Sequence, residues 1–346
     1  DRCQFLRQRR DAGHALALAA ELGVEGHVEP VEARQCRAQA EALARLPKPL
    51  LAASNHLYEN RVHKAEGLAR AFLQKNPKHV EGMRILAEIG KRFGVLDDAE
   101  FLLESAAAFA PDNIQIRLDH IDALRRRQKF AQAREEAEAL HARDPDNPLF
   151  QSHLAIESMQ TGDYERAFAL FEQVLEKVPG DPATLTSRGH ALKTTGETDK
   201  AIESYRAAFA AKPDHGDAWY ALANLKTYRF TEDEMARMEE QVARPDLAFM
   251  DRVHLSFALG KAHEDRKDYE ASFRHYKRGN ALKRAQTRYD ADTMSAELAK
   301  QREVCTPELF AKHEGAGYKA PDPIFILGLP RAGSTLLEQI LASHSQ

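Results

Sequence analysis

The fold of this chain is decided by a stretch that reads DNPLFQSHLAIESMQTGDYERAFALFEQVLEKVP over residues 146–179. Apolar residues recur in it twice at i, i+3, i+4 and i+7, which predicts two amphipathic helices. The first helix carries Leu154, Ala155 and Met159, and the second carries Ala167, Phe168, Phe171, Val174 and Leu175. Gly162-Asp163 between them predicts a tight turn. Pro179 ends the second helix, because its ring and missing N–H cannot continue the hydrogen-bond ladder.

The same unit recurs along the chain with a period of 34 residues. Prolines keep one register and alanines keep another, at Pro77, Pro111, Pro145, Pro179 and Pro213 and at Ala65, Ala99, Ala133, Ala167 and Ala201. The turn signal returns as Gly196-Glu197. Two residue types that hold one period five times indicate a repeated pair of antiparallel helices. The small alanine suits a position where the two helices approach closely.

This 34-residue helix pair resembles the tetratricopeptide repeat. We predict such repeats over residues 46–285, stacked in a right-handed superhelix whose concave face usually binds peptide or protein. The unit at 214–250 is degenerate, because Met235 takes the alanine register, and a further unit restarts near Leu255. Residues 1–45 are predicted to be a helical segment without clear register.

The concave face is predicted to carry mixed charge with a mild basic excess. Its expected residues are Arg84, Lys91, Arg92, Arg125, Arg126, His190, Lys193, Tyr220 and Tyr228, with Glu81, Glu88 and Asp122 among them. An acidic peptide is one predicted partner. An ordinary solvated helix face is the alternative, since exposed mixed charge is common on helices.

The end of the chain has a different pattern. Residues 286–320 are predicted to be a helical linker and loop, in which 286–312 form one helical stretch. Ile324 to Leu327 is a short apolar run typical of a buried strand. A loop from Gly328 to Gly333 and a helix that opens at Ser334 follow it. A strand, loop and helix in this order form a phosphate cradle from backbone N–H groups.

The loop differs from the nucleoside-triphosphate loop G-x-x-x-x-G-K-[ST] at one decisive position. Gly328 and Gly333 have the right separation and Thr335 has the hydroxyl position, but Ser334 replaces the lysine. That lysine reaches the β- and γ-phosphates, so ATP or GTP hydrolysis is disfavoured. The positive charge lies in the loop instead, as Arg331.

Residues 323–344 closely resemble the 5′-phosphosulfate loop of sulfotransferases, whose usual pattern is P-R-S-G-T-T-L. In this chain Ala332 replaces the serine and Ser334 replaces the first threonine. Repeats followed by this loop are similar to the bacterial tetratricopeptide-repeat sulfotransferases, whose catalytic domain is similar to tyrosylprotein sulfotransferases. The predicted fold is therefore mostly α, with the first strand, loop and helix of a P-loop α/β sulfotransferase domain at 321–346.

The resemblance implies a role for each residue of the loop. Arg331 contacts the phosphosulfate and is the catalytic residue, and Gly333 lets the backbone approach the 5′-phosphate. The N–H groups of Ala332 to Thr335 bind that phosphate, helped by the hydroxyls of Ser334 and Thr335. The resemblance also implies 3′-phosphoadenosine-5′-phosphosulfate as co-substrate, no metal, and a carboxylate base and 3′-phosphate motif expected beyond Gln346. The fragment is therefore predicted to be inactive alone.

The composition of the chain excludes some classes of function and favours others. The net charge of −4 excludes general nucleic-acid binding, and no apolar run approaches the roughly 20 residues of a membrane helix. Three scattered cysteines favour a reducing, cytoplasmic location. Fifteen histidines without H-E-x-x-H or comparable spacing predict no metal site.

Several alternatives stay open. The protein could be a non-catalytic tetratricopeptide-repeat scaffold or a nucleotide kinase or NTPase. The loop could also be a purely structural turn from strand to helix. The acceptor hydroxyl could belong to a protein tyrosine, a carbohydrate or a small molecule.

Overall fold

A computed structural model of the protein describes residues 45–59, 61–286, 290–317, 320, 324–329 and 332–344. These ranges contain seventeen helices and no strand. The chain divides into two compact units, Asp1–Ala285 and Gln286–Gln346. The helical segment predicted at 1–45 lies, except for its last residue, outside the described residues. No helix among the described residues is long and apolar enough to cross a membrane.

The first unit is a row of helix pairs, in which odd-numbered helices come first and even-numbered helices second. They are α1 (Lys48–Tyr58), α2 (Val62–Lys75), α3 (Val80–Phe93), α4 (Leu96–Phe109), α5 (Ile114–Arg126), α6 (Phe130–Arg143), α7 (Pro148–Gln160), α8 (Tyr164–Lys177), α9 (Pro182–Thr194), α10 (Thr198–Ala211), α11 (Gly216–Ala223), α12 (Glu232–Ala243), α13 (Phe249–Asp265) and α14 (Tyr269–Gln286). From α4 to α12 each helix begins 34 residues after the helix two before it, as the sequence period predicts.

Capping side chains explain where several helices begin, and glycines explain the turns between the two helices of a repeat. The side chains of Asn113, Asn147 and Asp181 accept hydrogen bonds from backbone N–H groups at the starts of α5, α7 and α9. Such caps satisfy donors that the helix itself leaves unpaired. The turn inside several repeats passes through the left-handed region, and φ is 84° at Gly162 and 89° at Gly196. The predicted turns are therefore confirmed.

The alanine register marks the contact between the two helices of a repeat. All five alanines, from Ala65 to Ala201, are completely buried. The two helices of each of the first five repeats contact each other, and so do first helices of consecutive repeats, such as α3 and α5. Burial of one apolar face per helix builds a core that continues from repeat to repeat. The predicted repeat architecture is confirmed.

The sixth repeat departs from the others, as the loss of its alanine predicts. Its first helix α11 has 8 residues, whereas α9 has 13. Trp219 in α11 is fully buried and stacks on Phe209, with ring centroids 3.7 Å apart. Its indole N–H donates to the carbonyl of Pro213 over 2.9 Å. The buried Met235 then fills the space of the missing alanine register in α12.

The second unit contains α15 (Ala291–Val304), α16 (Pro307–Lys312) and α17 (Ser334–Ala342). The stretch predicted as one helix over 286–312 is interrupted, because Thr306 caps a new helix that starts with Pro307. A proline is well suited to the first helical position, where its missing N–H costs nothing.

The predicted strand at Ile324 to Leu327 is not observed, and these residues belong to no helix or strand. Phe325 is 83% exposed and Leu327 is 90% exposed. An apolar run becomes a strand only when a neighbouring strand supplies the hydrogen-bond ladder. None of the described residues supplies such a partner.

Candidate functional site

The loop before α17 ends in a glycine whose backbone sets the start of the helix. Gly333 caps α17 in the left-handed conformation, with φ 86° and ψ 16°. A Cβ atom built on Gly333 would meet nothing within 4 Å, so backbone conformation rather than space favours glycine there. The first helical hydrogen bond runs from the N–H of Leu337 to the carbonyl of Gly333 over 3.0 Å.

The loop also folds back on itself upstream of Gly333. The N–H of Ala332 donates to the carbonyl of Leu329 over 3.0 Å. A Cβ atom on Gly328 would lie 3.2 Å from the Cβ of Ala332. Such a close approach favours glycine at position 328, and it places Gly328 beside the start of the helix.

The start of α17 has the chemistry of an anion site. No side chain caps this helix end, and Ser334 and Thr335 are both exposed. Uncapped N–H groups at a helix N-terminus carry partial positive charge and can donate to phosphate oxygens. Four of the predicted site residues, Ala332, Gly333, Ser334 and Thr335, are contiguous at this end. The fifth, Arg331, lies outside the described residues.

In the repeats, the structure pairs most of the predicted groove cations with carboxylates. Arg84 on α3 contacts Asp119 on α5, with Nη1 to Oδ2 at 3.4 Å. Lys91 on α3 contacts Asp122 on α5, with Nζ to Oδ2 at 3.2 Å. Burial acts to lower the pKa of Lys91, but Glu88 and Asp122 outweigh it and hold that pKa above its usual value. These pairs join the first helices of consecutive repeats.

A third pair joins the next two first helices, α5 and α7. The Nε of Arg125 donates to Oε1 of Glu157 over 2.7 Å. The side chain of Glu157 is completely buried. This burial raises the pKa of Glu157, and Arg125 opposes the rise. Arg92 and Arg126 pair with Glu88 and Asp122 within their own helices.

The sequence prediction missed Asp119 and Glu157 as partners of these cations. The three pairs between repeats join residues 35, 31 and 32 positions apart, which is close to one repeat length. Opposite charges separated by about one repeat on successive first helices are thus a signal that the sequence contains.

The aromatic residues predicted for the groove have partners of their own. His190 Nδ1 lies 2.9 Å from the hydroxyl of Tyr205. Tyr220 stacks on His254, with ring centroids 5.1 Å apart and an angle of 6°. Tyr228 donates to Oε1 of Glu234 over 2.7 Å.

Models of known families match both the repeat region and the loop near the end of the chain. Two tetratricopeptide-repeat models match, one over residues 50–114 and 118–182 and the other over 158–225. The model of the sulfotransferase family matches residues 323–346.

Two related proteins match this chain over about half of its length. An uncharacterized protein of Aquifex aeolicus (strain VF5) is 31% identical over 176 residues, which are 51% of this chain and 23% of that protein. The cytochrome c-type biogenesis protein CycH of Bradyrhizobium diazoefficiens is 26% identical over 149 residues, 42% of this chain and 40% of that protein. The chain thus spans less than half the length of either relative.

The crystal structure of a tetratricopeptide repeat protein from Parabacteroides merdae matches with a TM-score of 0.47 and 16% identity. The match covers 72% of this chain and 95% of that one. From the family matches and the helix pairs together, we conclude that this chain contains tetratricopeptide repeats and that its residues 323–346 are similar to the sulfotransferase family.

Proposed function

We propose that this chain combines a tetratricopeptide-repeat array with the donor-binding loop of a sulfotransferase. The observation that carries the proposal is the sulfotransferase match at residues 323–346. The geometry of the loop supports it, because Gly333 opens a helix whose first N–H groups have no side-chain cap. A phosphate group fits such an end without displacing any capping side chain.

In this proposal the co-substrate is 3′-phosphoadenosine-5′-phosphosulfate. The N–H groups of Gly333 to Thr335 bind its 5′-phosphate, and the hydroxyls of Ser334 and Thr335 add hydrogen bonds. The N–H of Ala332 joins them when it releases the carbonyl of Leu329. Arg331 stabilises the negative charge that grows on the bridging oxygen while the bond from that oxygen to sulfur breaks. The acceptor hydroxyl oxygen forms the new bond to sulfur, and a carboxylate base takes its proton.

The partner we propose for the repeats is a peptide or protein segment, since stacked helix pairs commonly bind such ligands. A protein tyrosine would then combine acceptor and ligand in one chain. Pairing of Arg84, Lys91 and Arg125 with carboxylates reduces the free positive charge that this face offers to an acidic ligand. We therefore expect recognition by hydrogen bonds and stacking more than by net charge.

The test is donor binding and transfer by the complete product of the gene that encodes this chain. Labelled phosphosulfate donor and ATP are offered separately, with a panel of tyrosine peptides, carbohydrates and small hydroxyl compounds as acceptors. We expect the donor to bind and ATP to be rejected. Binding of ATP without the sulfate donor would contradict the assignment.

The variant Arg331→Ala tests the catalytic residue, with Arg302→Ala on α15 as the matched arginine control. We expect the first variant to lose transfer by about 10²–10³-fold, as removal of one transition-state donor does. The repeats should stay folded, as judged by circular dichroism. A near-normal rate would remove Arg331 from the mechanism.

A non-catalytic scaffold is the second candidate, because the tetratricopeptide-repeat matches cover far more of the chain than the sulfotransferase match does. It predicts peptide binding by the repeats and no binding of the sulfate donor. The same donor titration therefore separates the two functions.

A further inference from the structure

Three potential metal ligands from three successive helices meet at one point in the last two repeats. They are Glu239 on α12, His263 on α13 and His275 on α14. Each offers one ligand atom, and these atoms all lie within 4.8 Å of one another. Oε1 of Glu239 is 3.1 Å from Nε2 of His275 and 3.7 Å from Nε2 of His263.

These separations suit a transition-metal ion. Zinc binds imidazole nitrogen and carboxylate oxygen at about 2.0–2.1 Å, and tetrahedral ligands at that distance lie about 3.3 Å from one another. The observed distances of 3.1 and 3.7 Å fall on either side of that value. The third separation, between the ligand nitrogens of the two histidines, is at most 4.8 Å.

The orientation of His263 supports a cation in particular. Its Nδ1 lies 3.3 Å from Oδ2 of Asp268, so the Nδ1 proton is attracted to that carboxylate. In the neutral tautomer that carries its proton on Nδ1, the ring has its lone pair on Nε2, the nitrogen that lies 3.7 Å from Oε1 of Glu239. Nε2 of His263 is buried and has no hydrogen-bond partner. A lone pair that faces a carboxylate is unfavourable unless a positive charge lies between them, either a second proton on the ring or a metal ion.

Asp268 is held in place to serve as the outer partner of His263. Its N–H donates to the carbonyl of His263 over 3.0 Å, and its Oδ1 accepts from the N–H of Ala271 over 3.1 Å. Lys267 before it adopts a positive φ of 63°, which closes the turn between α13 and α14. Histidine ligands commonly donate their second N–H to a carboxylate, which orients the ring and fixes its tautomer.

We propose that Glu239, His263 and His275 bind one divalent transition-metal ion of the zinc type, with Asp268 as the outer partner of His263. Two imidazoles and one carboxylate suit zinc and its neighbours better than calcium or magnesium, which prefer oxygen ligands. The imidazole rings of the two histidines already stack, with centroids 5.3 Å apart and an angle of 8°. The side chain of Glu239 is 48% exposed, so water can reach the fourth position.

The site ties the seventh repeat to the sixth. Its ligands come from α12 of the sixth repeat and from both helices of the seventh, α13 and α14. An ion that binds all three favours the folded arrangement over the unfolded chain by mass action. Metal is thus expected to raise the thermal stability of the last repeats, independently of any activity at the sulfotransferase-like loop.

The experiment is calorimetric titration of the metal-free chain with Zn²⁺, repeated on ligand variants. We expect one Zn²⁺ per wild-type chain and loss of that binding in Glu239→Gln and His275→Ala. Asp268→Asn keeps a side-chain oxygen for the helix cap but loses the carboxylate charge, and it should weaken binding by about 10–100-fold. His141→Ala, a histidine on α6 outside the cluster, is the matched control and should bind as wild type does.

A second readout keeps the test decisive if a histidine variant misfolds. Glu239→Gln changes a half-exposed side chain without changing its size, so its fold should persist by circular dichroism. The rise in Tm that Zn²⁺ produces in the wild-type chain should vanish in this variant. The proposal is overturned if the folded wild-type chain binds no stoichiometric Zn²⁺, or if Glu239→Gln and His275→Ala bind it as tightly as the wild type.

Discussion

Arg125 and Glu157 form an ion pair across two consecutive repeats, with the Nε of Arg125 2.7 Å from Oε1 of Glu157. The carboxylate is fully buried, whereas the arginine side chain keeps 25% of its exposure. A buried charge that loses its partner is far more costly than a surface charge that does so. This pair is therefore expected to stabilise the stacking of α5 on α7.

Removal of Arg125 should accordingly destabilise the array strongly. We expect Arg125→Ala to lower the free energy of unfolding by about 3–5 kcal/mol, because Glu157 would stay buried without its partner. Arg126→Ala is the matched control, since Arg126 is half exposed and pairs with Asp122 inside one helix. Arg126→Ala should lower the free energy of unfolding by at most about 0.5 kcal/mol. Urea unfolding followed by circular dichroism measures both, and equal losses would show that burial of Glu157 is unimportant.

Two glycines in helices should respond oppositely to alanine. A Cβ atom on Gly189 would lie 2.7 Å from Cδ1 of the buried Tyr205 ring, so Gly189→Ala should destabilise by about 1–3 kcal/mol. A Cβ atom on Gly67 meets nothing within 4 Å, and Gly67→Ala should stabilise by about 0.5–1 kcal/mol through higher helix propensity. Thermal unfolding of both variants checks the difference in sign.

A glutamine occupies a turn position at which other repeats have glycine. Gln128 has a φ of 59°, in the same register as Gly94, Gly162 and Gly196. The left-handed conformation costs an ordinary residue about 1–2 kcal/mol. We expect Gln128→Gly to raise the free energy of unfolding by about 1 kcal/mol.

The reverse substitution in the neighbouring repeat is the control for this prediction. Gly162→Ala places a Cβ atom in open space, so only the backbone conformation opposes it. It should destabilise the array by about 1 kcal/mol. If both variants lower Tm, backbone strain at this register does not explain the preference for glycine.

The stability of the repeats should fall in mild acid because of a half-buried histidine, His153. Burial, reinforced by Arg125, lowers the pKa of His153 to about 4 from its ordinary value of 6.5. Between these values the unfolded chain binds a proton that the folded protein does not, so stability declines as pH falls from 6.5 towards 4. In this range His153 makes the free energy of unfolding fall by about 1.4 kcal/mol for each pH unit.

The variant His153→Leu tests that assignment. It should flatten the fall of Tm between pH 6.5 and 4 without changing the pH dependence above pH 7. Two other histidines contribute to the remaining slope, since burial also lowers the pKa of the buried His120 and of the half-buried His215. An unchanged slope in His153→Leu would assign the acid sensitivity to those residues instead.

Much of the first unit could be predicted because its information is local and repeated. The alanine at position 133 needs no tertiary contact to be recognised, since its register occurs five times, and the structure buries it completely. Gly162 and Asn147 mark a turn and a helix start by their own conformational and hydrogen-bonding preferences. The strand predicted at Ile324 to Leu327 was wrong, because a strand needs a neighbouring strand, which residues far away in the sequence must supply.

The sequence by itself determined the period, the helix pairs and the loop with its uncapped helix start, because each depends on residues within a few turns of one another. The sequence contains the spacing of about one repeat between opposite charges, but only the tertiary structure decided which of these charges meet, such as Arg125 with Glu157. It alone also brought Glu239, His263 and His275 to one point. Helix packing sets these contacts, and packing joins residues whose separation along the chain follows no short motif.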